Sequence, residues 1–234
     1  MKSLQLEVVK NDRLYMKVAE QLRKLIETDV IKPGERFPSE RELADQLGVS
    51  RPTVREAMIA LEMTGVIEIR SGSGIYARKV KSMSTLLKDD SGIGPFEILE
   101  IRQIIEAEAC ALAAERISEE ELVQLKQTLR EMKEEEKRED SSEKADQRFH
   151  EIIAQSSQNS AIESVVSWLW KLRNESMLST AFLARIRKEG IHPSISEHQA
   201  IYDALAARDA EAARQAMKRH LESATENAAK HFNK

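Results

Sequence analysis

The sequence predicts a mainly α-helical protein, and three observations carry that prediction. The 234 residues include only 8 Gly and 5 Pro, while the strong helix formers Ala, Leu, Glu, Lys and Arg are abundant. Hydrophobic residues make up 41% and charged residues 32%, the composition of a chain that builds a core rather than a disordered one. Apolar residues recur at helical spacing along most of the chain, and a strand-like pattern is confined to one short stretch before residue 80.

The elements follow in order. Val18, Leu22, Leu25 and Ile26 share one face of an amphipathic helix that stops before Pro33-Gly34. Ser39 and Glu42 form a capping box that opens a second helix, through Leu47, and Gly48 ends it. Ser50 caps a third helix, with Pro52 tolerated in its first turn and Val54, Ala57 and Leu61 as its buried stripe. Gly65 closes it. Val66–Ile69 and Ile75–Ala77 flank a Gly-rich turn, which predicts a hairpin. Lys88–Pro95 is turn-rich and aperiodic, the mark of a linker. Helices then fall at about 95–116, 118–139, 143–156, 160–180, 195–207 and 210–231, with Ser118/Glu121 and Ser194/Glu197 as further capping boxes. The charged run 131–140 is the solvated end of one of them. The predicted organisation is a winged helix-turn-helix over residues 1–80, a linker over 81–94, and an all-α bundle of six or seven helices over 95–234.

Several classes are excluded. No apolar run approaches the ~20 residues that span a bilayer. The first residues, Met1-Lys2-Ser3-Leu4, begin no secretion signal. The single cysteine, Cys110, rules out an intramolecular disulfide and a Cys-rich zinc module. A cytoplasmic protein is expected. The net charge of −4 is unevenly spread: residues 1–80 carry 14 Lys/Arg against 12 Asp/Glu, and the acidic excess lies beyond them. A basic excess on a small unit can be focused on one face.

Two short helices joined by a tight Gly turn form a helix-turn-helix, whose second helix can enter a major groove. Arg51 and Arg55 are one turn apart near the start of that helix, off the Val54/Ala57/Leu61 stripe, where the backbone dipole also favours phosphate. Arg41 on the preceding helix is placed to touch the backbone. Glycines at the hairpin tip, Gly72 and Gly74, would allow close approach to a phosphate or the minor groove. Taken singly, either arginine is an ordinary solvated residue; the order of elements is what is specific. The stretches Pro33–Ala44 and Gly48–Ala57 resemble the winged-helix signature of GntR-type bacterial transcription regulators, over about residues 12–78. The resemblance implies a DNA-facing set of Arg41, Arg51, Thr53 and Arg55, with wing residues Gly72, Ser73 and Gly74 near the minor groove.

In the second unit the informative residues are polar ones that face inward. His198 is in register with Ile201, Tyr202 and Leu205, and His220 with Ala213, Met217 and Ala224. Asp146 and His150 are one turn apart beside Phe149 and Ile153. Arg102, in register with Ile98, Ile105 and Ala109, points a guanidinium inward and needs an anionic partner, either a nearby Glu or a ligand. Three imidazoles and a carboxylate suit a borderline divalent ion such as zinc, nickel or manganese. A lone inward histidine is more often a hydrogen-bonded core residue than a ligand, and an Asp–His pair one turn apart is commonly a surface pair. The unit from residue 95 to about 230 is similar to the metal-binding form of the FadR-type (FCD) ligand domain of GntR regulators. That similarity implies a metal set of Asp146, His150, His198 and His220, and Arg102 as the contact for an organic-acid effector. It argues against a fatty-acyl effector. His192, in a loop before Pro193, and His231, near the C-terminus, receive no role.

The expected function is a dimeric DNA-binding regulator, a repressor of a palindromic operator on double-stranded DNA, released by a small carboxylate bound beside a divalent metal, zinc first. The alternative is a metal-dependent hydrolase or oxygenase fused to a winged helix, against which no separate general base or nucleophile stands out. A bundle that only dimerises is a third reading.

Overall fold

Capping chemistry sets most of the helix boundaries. The computed structural model describes residues 14–70, 73–78, 93–138 and 143–233. Within them α1 (Leu14–Glu27), α2 (Glu40–Leu47) and α3 (Arg51–Met63) precede the hairpin β1 (Ile67–Arg70) and β2 (Gly74–Ala77). The helical half comprises α4 (Pro95–Arg116), α5 (Glu119–Glu136), α6 (Lys144–Ser156), α7 (Ser160–Glu175), α8 (Met177–Lys188), α9 (Ile195–Ala206) and α10 (Ala210–Asn233). Gly72 and most of the expected linker, residues 81–92, lie outside the described residues.

Ser39 and Glu42 form the reciprocal capping box of α2, with Ser39 N–H donating to the Glu42 carboxylate at 2.8 Å and Glu42 N–H to Ser39 Oγ at 3.3 Å. Gly48, at φ 65°, ends the helix in the left-handed region. Ser50 Oγ accepts from Thr53 N–H to open α3, and each such cap is worth about 1 kcal/mol. The hairpin is antiparallel, with Ile67 opposite Ala77 and Ile69 opposite Ile75. All four of these side chains turn inward.

In the second half α4 is the central helix, packed against α6, α7, α9 and α10. The expected single helix over 160–180 is two. Ser176, at ψ 125°, ends α7 and caps α8, its side chain accepting from Ser179 N–H. No Gly or Pro marks this break; a single Ser cap makes it. The predicted box at Ser194/Glu197 is half formed: Ser194 Oγ accepts from Glu197 N–H, but the Glu197 carboxylate is bonded to His220 instead.

The two units share one core. Leu22, Val54 and Ile67 of the first half continue through Phe96 into Phe182, Ile186 and Phe232 of the second. The rings of Phe96, Phe182 and Phe232 lie 5.5 to 5.9 Å apart, centroid to centroid, within the range of favourable aromatic pairs. A separate core, including Cys110, Leu125, Phe149, Ile201 and Met217, fills the far end of the bundle.

Candidate metal centre and DNA-facing helix

Asp146 and His150 occupy successive turns of α6, on the face that also buries Phe149 and Ile153. His198 lies in the first turns of α9, and His220 is midway along α10. All four are buried, and one ligand atom from each lies within 4.8 Å of the others. Asp146 Oδ1 is 2.8 Å from His198 Nε2 and 3.6 Å from His150 Nε2. The His198 and His220 rings are 4.3 Å apart.

The backing of each imidazole decides which nitrogen is free. His198 Nδ1 donates to the Ser194 carbonyl at 2.8 Å. His220 Nδ1 donates to Glu197 Oε2 at 3.0 Å. His150 Nδ1 lies 2.5 Å from Glu106 Oε2. Partners of this kind fix the tautomer of metal-binding histidines and raise their basicity. They leave Nε2 as the available ligand atom. Asp146 Oδ1, His150 Nε2 and His198 Nε2 are buried without a hydrogen-bond partner among the described residues. Buried acceptors are normally satisfied. Three such acceptors, converging with a ligand atom of His220, therefore fit a borderline divalent cation.

The electrostatics of Asp146 and His220 suit that donor set, whereas His150, although burial opposes its charge, is raised by Glu106 and Asp146. Burial opposes charge on Asp146, but His150 and His198 outweigh it and hold the carboxyl well below the usual carboxylate range. Burial, then neighbouring His198, pushes His220 down to about 4. It is thus a neutral ligand at pH 7.

A cavity of about 90 Å³ opens beside the cluster. Arg102, Asp146, Glu197 and His220 line it, together with the apolar side chains of Phe182 and Ile186. Arg102 is buried, and the anionic partner that the sequence left open comes from within: Glu106, one turn on, accepts from Arg102 Nε at 2.6 Å. The guanidinium stacks 4.2 Å over Trp170. Need of a counter-ion is therefore no reason to invoke a ligand there. Its place on the cavity wall is.

Several site residues were not legible in the sequence. Arg173 of α7 lines the same cavity, stacks 4.8 Å over Trp170 and pairs with Glu143. Glu143, at φ 50° before α6, is also held by Arg187 at 2.6 and 2.7 Å. Its left-handed backbone gives no sequence signal. Glu197 carried a signal, its place at the third position of α9, but that reads as capping. His192, given no role from sequence, lines the cavity. His231, expected at a frayed end, is 1% exposed. Its Nδ1 donates to Glu189 at 3.1 Å, and its Nε2 lies 3.6 Å from Glu62 of α3. Helix α10 stays packed to that point because Phe232 is anchored in the shared core.

In the first half, Arg41 is exposed and the Arg51 side chain is 54% exposed. Thr53 is buried, its hydroxyl 2.8 Å from Ser50 Oγ. The shared exposed face expected for Arg51 and Arg55 is not found. Both bond to the one Glu40 carboxylate, but Arg55 is buried, 4.7 Å over the Phe96 ring at the start of α4. Ser73, at the hairpin tip, is exposed with its hydroxyl 2.8 Å from Tyr76 OH. Gly74 has φ 116°, and a Cβ there would strike the Arg36 side chain, so close approach at this glycine is to the protein itself.

A winged helix joined to a helical bundle with a buried histidine–aspartate cluster defines a class of protein, the DNA-binding regulator with an attached helical domain. The chain belongs to the GntR family of bacterial regulatory proteins: residues 14–77 match that family and residues 97–223 match the FCD domain. The Uxu operon transcriptional regulator of Escherichia coli K12 is 36% identical over 90% of this chain and 85% of its own. The Uxu operon regulator of Haemophilus influenzae is 33% identical over 91% of this chain and 80% of its own. A GntR-family regulator from Pseudomonas syringae pv. tomato, 18% identical, shares the fold across 94% of this chain and 86% of that one, with a TM-score of 0.50. The chain is a transcription regulator and not an enzyme. No described helix is long and apolar enough to cross a membrane.

Proposed function

We propose that this protein is a repressor whose hold on a palindromic operator is controlled by a small carboxylate, bound beside a divalent metal in the helical domain. The carrying observation is the convergence of Asp146, His150, His198 and His220, three of them with unpartnered buried ligand atoms, on a cavity that Arg102 lines. A metal held there would supply a Lewis-acidic point for one carboxylate oxygen. Zinc is the first candidate, and nickel or manganese would suit the same donors. The chain's own residues do the rest. Arg102 presents a planar donor fork, with Glu106 and Trp170 keeping it in place. Phe182 and Ile186 add apolar surface to the same cavity.

Arg41, Arg51 and Arg55 are the proposed operator contacts, with Thr53 and the wing residues Gly72, Ser73 and Gly74 beside them. A homodimer would match operator symmetry. Exposed Ile101 and Ile104 on α4, and Val165 and Trp168 on the adjoining α7, support self-association. Action on chromosomal DNA places the protein in the cytoplasm.

The test is metal content of the purified full chain, followed by thermal shift with mono-, di- and tricarboxylates. One metal per chain and a carboxylate-dependent rise, both absent in His198→Ala/His220→Ala, are expected. Full metal occupancy in that double variant would refute the site.

A further inference from the structure

Residues 53–61 of α3 are all buried, leaving Arg51 as its one exposed residue and no solvent face along its middle turns. A helix covered on every side cannot lie in a groove. Helices α1 and α2 cover the sides expected in a winged helix; α4 and α8 cover the rest.

The covering contacts are specific. Phe96 lies against the Arg55 guanidinium. Glu56 accepts from Glu97 N–H of α4 at 3.1 Å, and a Cβ on Gly94 would collide with the Glu56 carboxylate. Arg185 of α8 bonds Glu62 of α3 at 2.9 Å and the Ile69 carbonyl of β1 at 3.1 Å.

We propose that the helical domain masks the recognition helix in this arrangement, so that operator binding requires the winged helix to lift off α4 and α8. This rests on the reading of α3 as the DNA-reading helix. The masking helices are also the cavity walls: Arg102 is on α4, and Phe182 and Ile186 on α8 touch both the cavity and the core shared with α3. A cavity occupant that moves α8 relative to α4 changes how well α3 can dock. Masking and ligand control are then one equilibrium, biased by the occupant's preference for one arrangement.

The experiment locks the docked state in the full chain. In a Cys110→Ser background, Glu62→Cys and Arg185→Cys are joined by a short bismaleimide, and binding is measured to a duplex selected from random sequence by the wild-type protein. The linked protein should bind roughly tenfold more weakly, or worse, than the same protein unlinked, within the usual range of allosteric coupling. Equal affinity overturns masking. A second readout needs no DNA. Phenylglyoxal should modify Arg51 and spare Arg55 in the wild type, and should reach Arg55 in Phe96→Ala. Equal modification of the two arginines in the wild type also overturns masking. If Arg51→Ala leaves duplex affinity unchanged, the DNA-reading assignment fails instead, and Arg55 protection still decides whether the helix is covered.

Discussion

Glu56, on the recognition helix, accepts a hydrogen bond from the main-chain N–H of Glu97 in the first turn of α4, 3.1 Å away. A side chain of the winged helix thereby caps a helix of the helical domain, whose own N-cap, Gly94, has no side chain to do so. The other carboxylate oxygen of Glu56 is buried without a hydrogen-bond partner among the described residues. Burial, with Glu97 repulsion next and Glu100 adding to it, pushes the Glu56 carboxyl up to about 8.

A pH dependence follows from that carboxyl. A raised folded-state value means that the folded protein binds the proton more tightly, so the contribution is full below about 4.5 and lost as pH rises towards about 8. Glu56→Gln keeps the acceptor and removes the charge. Its melting temperature should exceed that of wild type at pH 8.5, and the gap should shrink on acidification. A gap independent of pH would show that Glu56 does not titrate in this way.

Metal binding should depend on the residues behind the ligands. Glu197→Gln weakens the bond that orients His220, and loss of such a partner lowers metal affinity by about 10–100-fold. His192→Ala, on the cavity wall but outside the cluster, should leave affinity unchanged. Competition with a chromophoric chelator measures both.

Arg102 and Glu106 should behave as a buried pair. Removing one partner strands the other charge and costs about 3–5 kcal/mol. Arg102→Ala should therefore destabilise strongly, and Arg102→Met/Glu106→Gln far less. Denaturation of chelator-treated protein keeps metal out of the comparison. A double variant destabilised as much as Arg102→Ala would contradict a stranded Glu106 charge as the source of the loss.

Arg51 and Arg41 should differ at the operator. Arg51→Ala should weaken binding by about 1–3 kcal/mol and relax sequence preference if it pairs with a base. Arg41→Ala should weaken all sequences alike and flatten the salt dependence, as a phosphate contact does. Titrations of matched and mismatched duplexes at several salt concentrations separate the two.

Local rules made much of the fold legible. Ser39, Ser50 and Ser118 cap helices where the sequence places them, because capping is a short-range bond between a hydroxyl and an amide three residues on. The Ser176 break was not legible, since Ser inside a helical pattern is read as an ordinary helix residue. The inward placing of Asp146, His150, His198 and His220 was legible because they keep register with, or flank, apolar stripes on three helices; their grouping as one candidate metal set came from the family resemblance. Its backing was not: whether the Glu197 carboxylate closes its own helix or crosses to His220 is a tertiary choice. The burial of Arg55 was hidden for the same reason, as it depends on tertiary neighbours such as Phe96, 41 residues further on. The docking of the two units lies beyond helical periodicity altogether.

The most direct test of the central claim is a duplex titration of metal-loaded full chain with and without a carboxylate that stabilises it in thermal shift. Saturating carboxylate should weaken binding to the selected duplex by about 5–150-fold, the range of typical site-to-site coupling, and should have no effect in His198→Ala. A carboxylate that raises the melting temperature through this site yet leaves duplex affinity unchanged would contradict the account.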